Sequence, residues 1–487
     1  MPPLLSLMVL LPLVGVVSMA LVPAHHPTWP RWIAAATSAT VLAIAVFVAV
    51  TFEPGGGIQF VERHAWIPVI DVNYYLGIDG LSVLLVTLSA LLSFLAVMAS
   101  WRLEKRPKFY FAMILLLAVG TNGVFMALDF VLFYVFWELV LVPMYFLIAV
   151  WGGERRAYAA VKFFLYTMLG AVLMLVGILA VYLHPMGGTF DMIQLADRGF
   201  PVEFQWWVFL AFFLGFAVKV PVWPLHTWLP DAHVEAPTAA SALLAGILLK
   251  MGTYGFMRIS LPILPEAWAQ WRLFIAALAV ISIIYGALVA FAQKDLKKLV
   301  AYSSVSHMGF AMLGIAAGTA VGLNGAQAVN ISHGFLSAML FLSVGMVYER
   351  SHTRQIAEVS GLATQAPVLA GLFAFAAFAS LGLPGLSGFV GEFLSLLGAW
   401  QSTLPPGYTV AAAIGVLLGA AYMLWMVQRV ILGEVSDSIS GVSDATPREL
   451  VCLMPLAALS LAMGIWWLWT LQFFDPYSSA LAQILGG

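Results

Sequence analysis

Runs of about twenty mostly apolar residues recur from the first residues of this chain to near its last, separated only by short polar stretches. As a helix, a run of that length spans the roughly 30 Å hydrocarbon core of a bilayer. Lipid offers the backbone no hydrogen bonds, so only helices and closed barrels can cross it. The runs are continuous and lack the alternation of barrel strands, which leaves helices. Composition agrees, with 62% of the 487 residues hydrophobic and 9% charged, against about 25% charged in a soluble domain. The fold class is therefore an all-α polytopic membrane protein. The 21 basic and 23 acidic residues nearly balance, which points away from nucleic acid. The single cysteine, Cys452, excludes an intrachain disulfide and a cysteine-ligated iron–sulfur cluster within the chain. The apolar stretch from Leu4 to Val22 has no basic flank and no small-residue cleavage site, and reads as a first transmembrane helix.

Membrane-length segments fall near 3–22, 31–51, 81–100, 109–127, 130–150, 159–183, 206–229, 238–259, 269–291, 298–318, 325–347, 366–399, 409–431 and 450–473, about fourteen helices in one integral membrane domain. Placing Arg102, Lys105, Arg106 and Lys108 in the cytoplasm puts Arg31, Arg155, Arg156, Lys294, Lys297, Lys298, Arg350, Arg354, Arg429 and Arg448 on that side too. Only Arg63, Arg198, Arg258 and Arg272 fall opposite, and Lys162, Lys219 and Lys250 stay within helices. Such a bias orients the bundle with both termini outside. The loops 52–80 and 184–205 are too short for an extramembrane domain. The piece Asp71–Ser82 reads as a turn into the third helix, with Asp79 and Ser82 as cap residues.

Two helices carry breakers. Pro221 and Pro224 interrupt the seventh, and Gly382, Pro384, Gly385 and Gly388 the twelfth. Five helices separate them, which suits two inverted five-helix repeats, helices 4–8 over 108–260 and helices 9–13 over 268–432. Helices 1–3 over 1–107 precede them, and helix 14 over 449–475 follows. Interrupted helices at matching positions of inverted repeats mark the transport site of a transporter.

Ionisable residues sit in these apolar runs. Lys219 lies two residues before Pro221, where a charge costs roughly 2.5–3.5 kcal/mol to insert. Glu138 and Lys250 are equally central to their helices, and Glu392 follows the second break. His307 and His333 lie between them in the chain. Burial disfavours the charged form of lysine or glutamate, and a nearby opposite charge restores it. A lysine whose carboxylate partner approaches and withdraws thus takes and releases a proton. Histidine titrates near neutrality without help. Six such groups on six helices, with waters between them, conduct protons, whereas a sodium site wants clustered oxygen ligands. Lys162, close to a helix end, reads as snorkelling. His226, Asp231, His233 and Glu235 have zinc-ligand types, but their interleaved prolines read as a rigid turn at the membrane surface.

The stretch Lys219–Gly255, with FWELVLVPMY, QKDLKKLVAYSSVSHMGF and LPGLSGFVGEF, resembles the antiporter-like M subunits of bacterial NADH–quinone oxidoreductase, respiratory complex I, counterparts of mitochondrial chain 4. The resemblance runs over essentially the whole length. It implies fourteen helices and proton translocation without a redox centre in this chain. FMN, iron–sulfur clusters and quinone are then expected in partner subunits, and L-type and N-type antiporter-like subunits are expected as neighbours in the bacterial inner membrane. It also implies roles: Glu138 and Lys219 as a coupled input pair, Lys250 as central relay, His307 and His333 as the connecting path, and Glu392 as terminal group. The L and N subunits usually carry lysine where Glu392 stands. A subunit of a sodium/proton antiporter or of an energy-converting hydrogenase is the alternative reading, and a non-transporting scaffold a further one.

Overall fold

A computed structural model describes residues 3–23, 26 and 28–486. Among them, twelve helices are long and apolar enough to cross a membrane, and Val83–Ala99 and Pro367–Ser380 are shorter apolar helices. The chain divides into two compact units. One comprises Met1–Pro221, Ile247–Leu273 and Gln472–Gly487, the other Val222–Gly246 and Phe274–Leu471.

In the first unit the helices Leu4–Leu21, Trp29–Thr51, Val83–Ala99 and Pro107–Met126 pack on one another. The Lys108 ammonium donates to Val22 O, and Arg31 Nη2 donates to Leu103 O at 3.0 Å. The segments after the first and third helices therefore share one end of the unit. At the other end, Glu62 accepts the Leu5 and Ser6 amides at 2.8 and 3.0 Å and satisfies the start of the first helix.

Glu62 belongs to an element the sequence did not disclose. The segment read as loop and turn forms an antiparallel hairpin, Gln59–Ile67 with Val72–Ile78, pairing Glu62 with Leu76 and Arg63 with Tyr75. The second strand is buried on both faces, so it lacks the alternation that announces a half-buried strand. Asp79 caps the turn that follows, accepting the Leu81 and Ser82 amides at 3.1 and 3.2 Å. It also pairs with Arg258 at 2.6 Å. Arg258 is 4% exposed and lies inside the span Thr238–Ile263.

The 32-residue helix Ala320–Ser351 runs through the second unit, buried along most of its length. Small residues let Ser387–Gln401 lie directly against it. A Cβ added at Gly391 would sit 2.6 Å from the Val329 backbone nitrogen. Lys297, counted as a loop cation, is buried here and donates to Ala236 O at 2.7 Å.

Both expected breaks are present. Val202–Lys219 ends at Lys219, and helix resumes only at Trp228–Glu235, because Pro221 and Pro224 bring no N–H to the ladder. Pro367–Ser380 stops before Gly382, whose φ of +84° no β-carbon favours, and Ser387–Gln401 starts anew. The last helix differs from expectation. A capping box of Thr446 and Glu449 starts Pro447–Ile465, the backbone leaves the helix at Trp466, and a further helix runs over Trp467–Ile484. Only a lone glycine, Gly464, stands near Trp466, and helices tolerate such a residue, so the sequence reads as a continuous helix over 449–475.

Candidate functional site

The first unit holds Glu138, Lys219 and Lys250. Lys219, the last residue of its helix, is 1% exposed, and its Nζ makes no hydrogen bond among the described residues. Aromatic faces surround it instead, with Trp137 centred 5.5 Å and Phe163 5.8 Å from Nζ. Glu138, next to Trp137, is half-buried and interacts electrostatically with Lys219. The Tyr134 phenol, one turn earlier, approaches the same carboxylate. The helix carrying Glu138 is itself notched, running Phe130–Leu139 and then Leu141–Trp151. Pro143 explains the notch, because it cannot donate to Leu139 O and its ring crowds that carbonyl. The signal for this third interruption is the Pro143 of ELVLVP, five residues beyond Glu138. Lys250 is fully buried in Leu249–Gly255, between two wider π-helical turns, Leu244–Leu248 and Phe256–Ser260. Such turns recur at functional sites.

The second unit holds His307, His333 and Glu392. Glu392 lies in the second turn after the break, and its Oε2 reaches back to where a Gly382 Cβ would stand, 3.3 Å away. Its Oε1 meets His307 Nδ1 at 2.7 Å, a direct hydrogen bond where an intervening water was expected. Ser380 and Tyr422 hydroxyls lie 3.1 and 3.4 Å from His307 Nε2. The His307 and His333 rings are 5.7 Å apart. A cavity of about 10 Å³ lined by His307, Ser332, His333, Ser380 and Glu392 lies among them, near the lower limit for one water. A carboxylate hydrogen-bonded to imidazole, with a water-sized gap to a second imidazole, can pass a proton in either direction. Ser380 and Tyr422 were missed: serine and tyrosine in apolar helices carry no charge signal.

The groups read as a surface turn pack on aromatic rings. His233 stacks on Phe341 at 4.4 Å, and His226 meets Tyr285 edge-on at 5.2 Å. Among the described residues no three His, Cys, Asp or Glu side chains stand together as a metal site. Lys162 is partly buried, with its Nζ 5.6 Å from the centre of the Tyr158 ring.

Two family profiles match the chain. The one described as "NADH:quinone oxidoreductase/Mrp antiporter, TM" covers residues 127–419, and "NADH-ubiquinone oxidoreductase chain 4, amino terminus" covers 6–121. The NADH-quinone oxidoreductase subunit M of Rhodobacter capsulatus is 45% identical, covering 99% of this chain and 96% of that one. The subunit M of Rickettsia conorii is 42% identical, covering 95% of each. Among solved structures, a chain of respiratory complex I from Thermus thermophilus with bound NADH superposes with a TM-score of 0.91 at 36% identity, covering 99% of this chain and all of that one. A chain of the Mrp complex from Dietzia, at 22% identity and a TM-score of 0.85 with full coverage of both chains, shares the fold.

Proposed function

The chain belongs to the subunit M (chain 4) family of antiporter-like membrane subunits of NADH:quinone oxidoreductase, and from that premise we propose that it translocates protons through its buried Glu, Lys and His residues. The observation that carries this reading is that two helices are broken with a buried ionisable group beside each break, Lys219 just before the first and Glu392 just after the second. Glu138 modulates Lys219: when the carboxylate is close, the ammonium form is favoured, and when it withdraws, burial drives the proton off. Lys250 takes the proton on, and the His307–Glu392 pair with His333 forms the terminal segment.

The driving energy comes from redox chemistry in partner subunits that hold FMN, iron–sulfur clusters and quinone. Glu138 sits between Val135 and Val142, which are 43% and 48% exposed, so the input pair lies near a surface that an L-type or N-type neighbour can cover. The chain is multi-pass in the bacterial inner membrane with both termini outside.

The test is Lys250→Ala and Lys250→Arg in the assembled complex, read as NADH-driven proton uptake by vesicles in sodium-free buffer. A relay must release its proton, and guanidinium does not. Both variants should assemble and both should lose pumping. Full pumping by Lys250→Arg would make position 250 a fixed charge instead.

A further inference from the structure

The path above leaves one buried ion pair unused. Arg258 lies eight residues beyond Lys250 on the same span, about 12 Å along the helix. Its Nη2 donates to Asp79 Oδ1 at 2.6 Å and its Nε to the Tyr254 hydroxyl at 3.1 Å. That hydroxyl, four residues beyond Lys250, donates in turn to the Phe125 carbonyl at 3.2 Å. Asp79 is 5% exposed and is held by two backbone amides besides the guanidinium. Against the pair lies a cavity of about 340 Å³, with Asp79, Arg258 and Tyr477 as its polar wall and the exposed loop glycines Gly55 and Gly57 at its rim. That volume holds several waters. The cavity lies at the end of the unit where Glu62 caps the first helix, the end with fewer basic residues. A buried lysine therefore stands about two helical turns from this cavity, and the pair forms part of the wall on the cavity side.

Neither member of the pair can pass a proton on. Guanidinium does not deprotonate in proteins. The Asp79 carboxylate is already taken up by a cation and two N–H donors, which leaves it no role in handing a proton to Tyr254. The Tyr254 proton is committed to a backbone carbonyl, where a relay ends. The fixed positive charge also raises the energy of any excess proton approaching from the cavity, as arginine does in channels that exclude protons.

We propose that the Asp79–Arg258 pair is a proton-excluding plug between this cavity and Lys250, preventing the relay from equilibrating with the outer side. The proposal rests on the reading of Lys250 as a relay, and a pump that stored protons there without such a barrier would short-circuit.

The experiment uses the intact complex in phospholipid vesicles without NADH, with an imposed pH gradient and a trapped pH dye reporting passive proton flux. Asp79→Asn with Arg258→Gln removes both charges and keeps both shapes, so no unpaired charge is left buried. Passive flux should rise by roughly tenfold or more. Asp79→Asn alone keeps the guanidinium and should not leak. A tight double variant, or Asp79→Asn as leaky as the double, overturns the proposal. Should the double variant not assemble, Arg258→Gln alone carries the same expectation. Adding Lys250→Ala to the leaky variant should abolish the leak, and a leak that survives runs elsewhere and overturns the plug. Passive flux needs no turnover, so its outcome is separate from the NADH-driven pumping that tests Lys250 as a relay.

Discussion

Among single residues, the ionisable side chains were legible because lipid makes them conspicuous, while their partners were not. Glu392 and His307 could each be picked from an apolar run, but nothing local says that 85 residues of separation close to a 2.7 Å bond. Nor does anything near Arg258 announce its carboxylate partner, 179 residues upstream. Asp129 is a similar case, unnoticed because a cap residue is an ordinary sight. It starts the helix that carries Glu138, accepting the Val131 and Leu132 amides at 2.9 and 3.2 Å, and its other oxygen takes the Asn73 amide at 2.9 Å. Asp129→Ala should cost about 2–4 kcal/mol, a lost cap plus an orphaned strand amide, read as a lower Tm. Burial, with help from Asp191, pushes the Asp129 carboxyl up to about 6 against the pull of the three amides. A raised carboxyl binds its proton more tightly folded than unfolded. Its contribution to stability is therefore largest below pH 4 and is lost as the pH rises through about 6. Between pH 7 and 5, acidification should stabilise the parent relative to Asp129→Asn, and an identical pH dependence of Tm in the two proteins would refute this.

Among elements, helix breaks were the most readable feature, because proline and glycine act on the backbone whatever surrounds them. Both major interruptions lie where Pro221 and Gly382 put them, and the notch before Pro143 follows the same rule. The hairpin at Gln59–Ile78 and the stop at Trp466 were hidden for the opposite reason. The buried strand Val72–Ile78 gets its stability from pairing and burial, and the signal near Trp466 is one glycine, Gly464, of a kind helices tolerate. Close helix packing was equally silent until the partner was known. Gly391→Leu has no room beside Val329 and must push Ser387–Gln401 away from Ala320–Ser351, taking Glu392 with it. Overpacking of this kind costs about 1–3 kcal/mol or more, so assembly or Tm should fall. Gly371 is also helical, but nothing lies within 4 Å of its added Cβ. Gly371→Ala should leave Tm unchanged or raise it slightly. Equal damage at both positions would mean the helix contact is not what Gly391 protects.

At the scale of the whole molecule, composition and run length decided the fold class, and the long motifs around Lys219 and Lys250 identified the family. Pairing distances and the division into two units came only with the structure. The central claim is that proton movement begins where Glu138 can act on Lys219. Glu138→Gln keeps the shape and removes the charge, so Lys219 no longer has a carboxylate to hold its proton. Glu138→Asp retains the charge on a shorter stem. The most direct measurement is protons taken up per NADH oxidised by vesicles containing the assembled complex, compared for the parent, Glu138→Gln and Glu138→Asp. Glu138→Gln should assemble normally and lose most of its pumping, with Glu138→Asp between it and the parent. Normal pumping by both variants at normal assembly would contradict the account and leave Glu138 a structural residue.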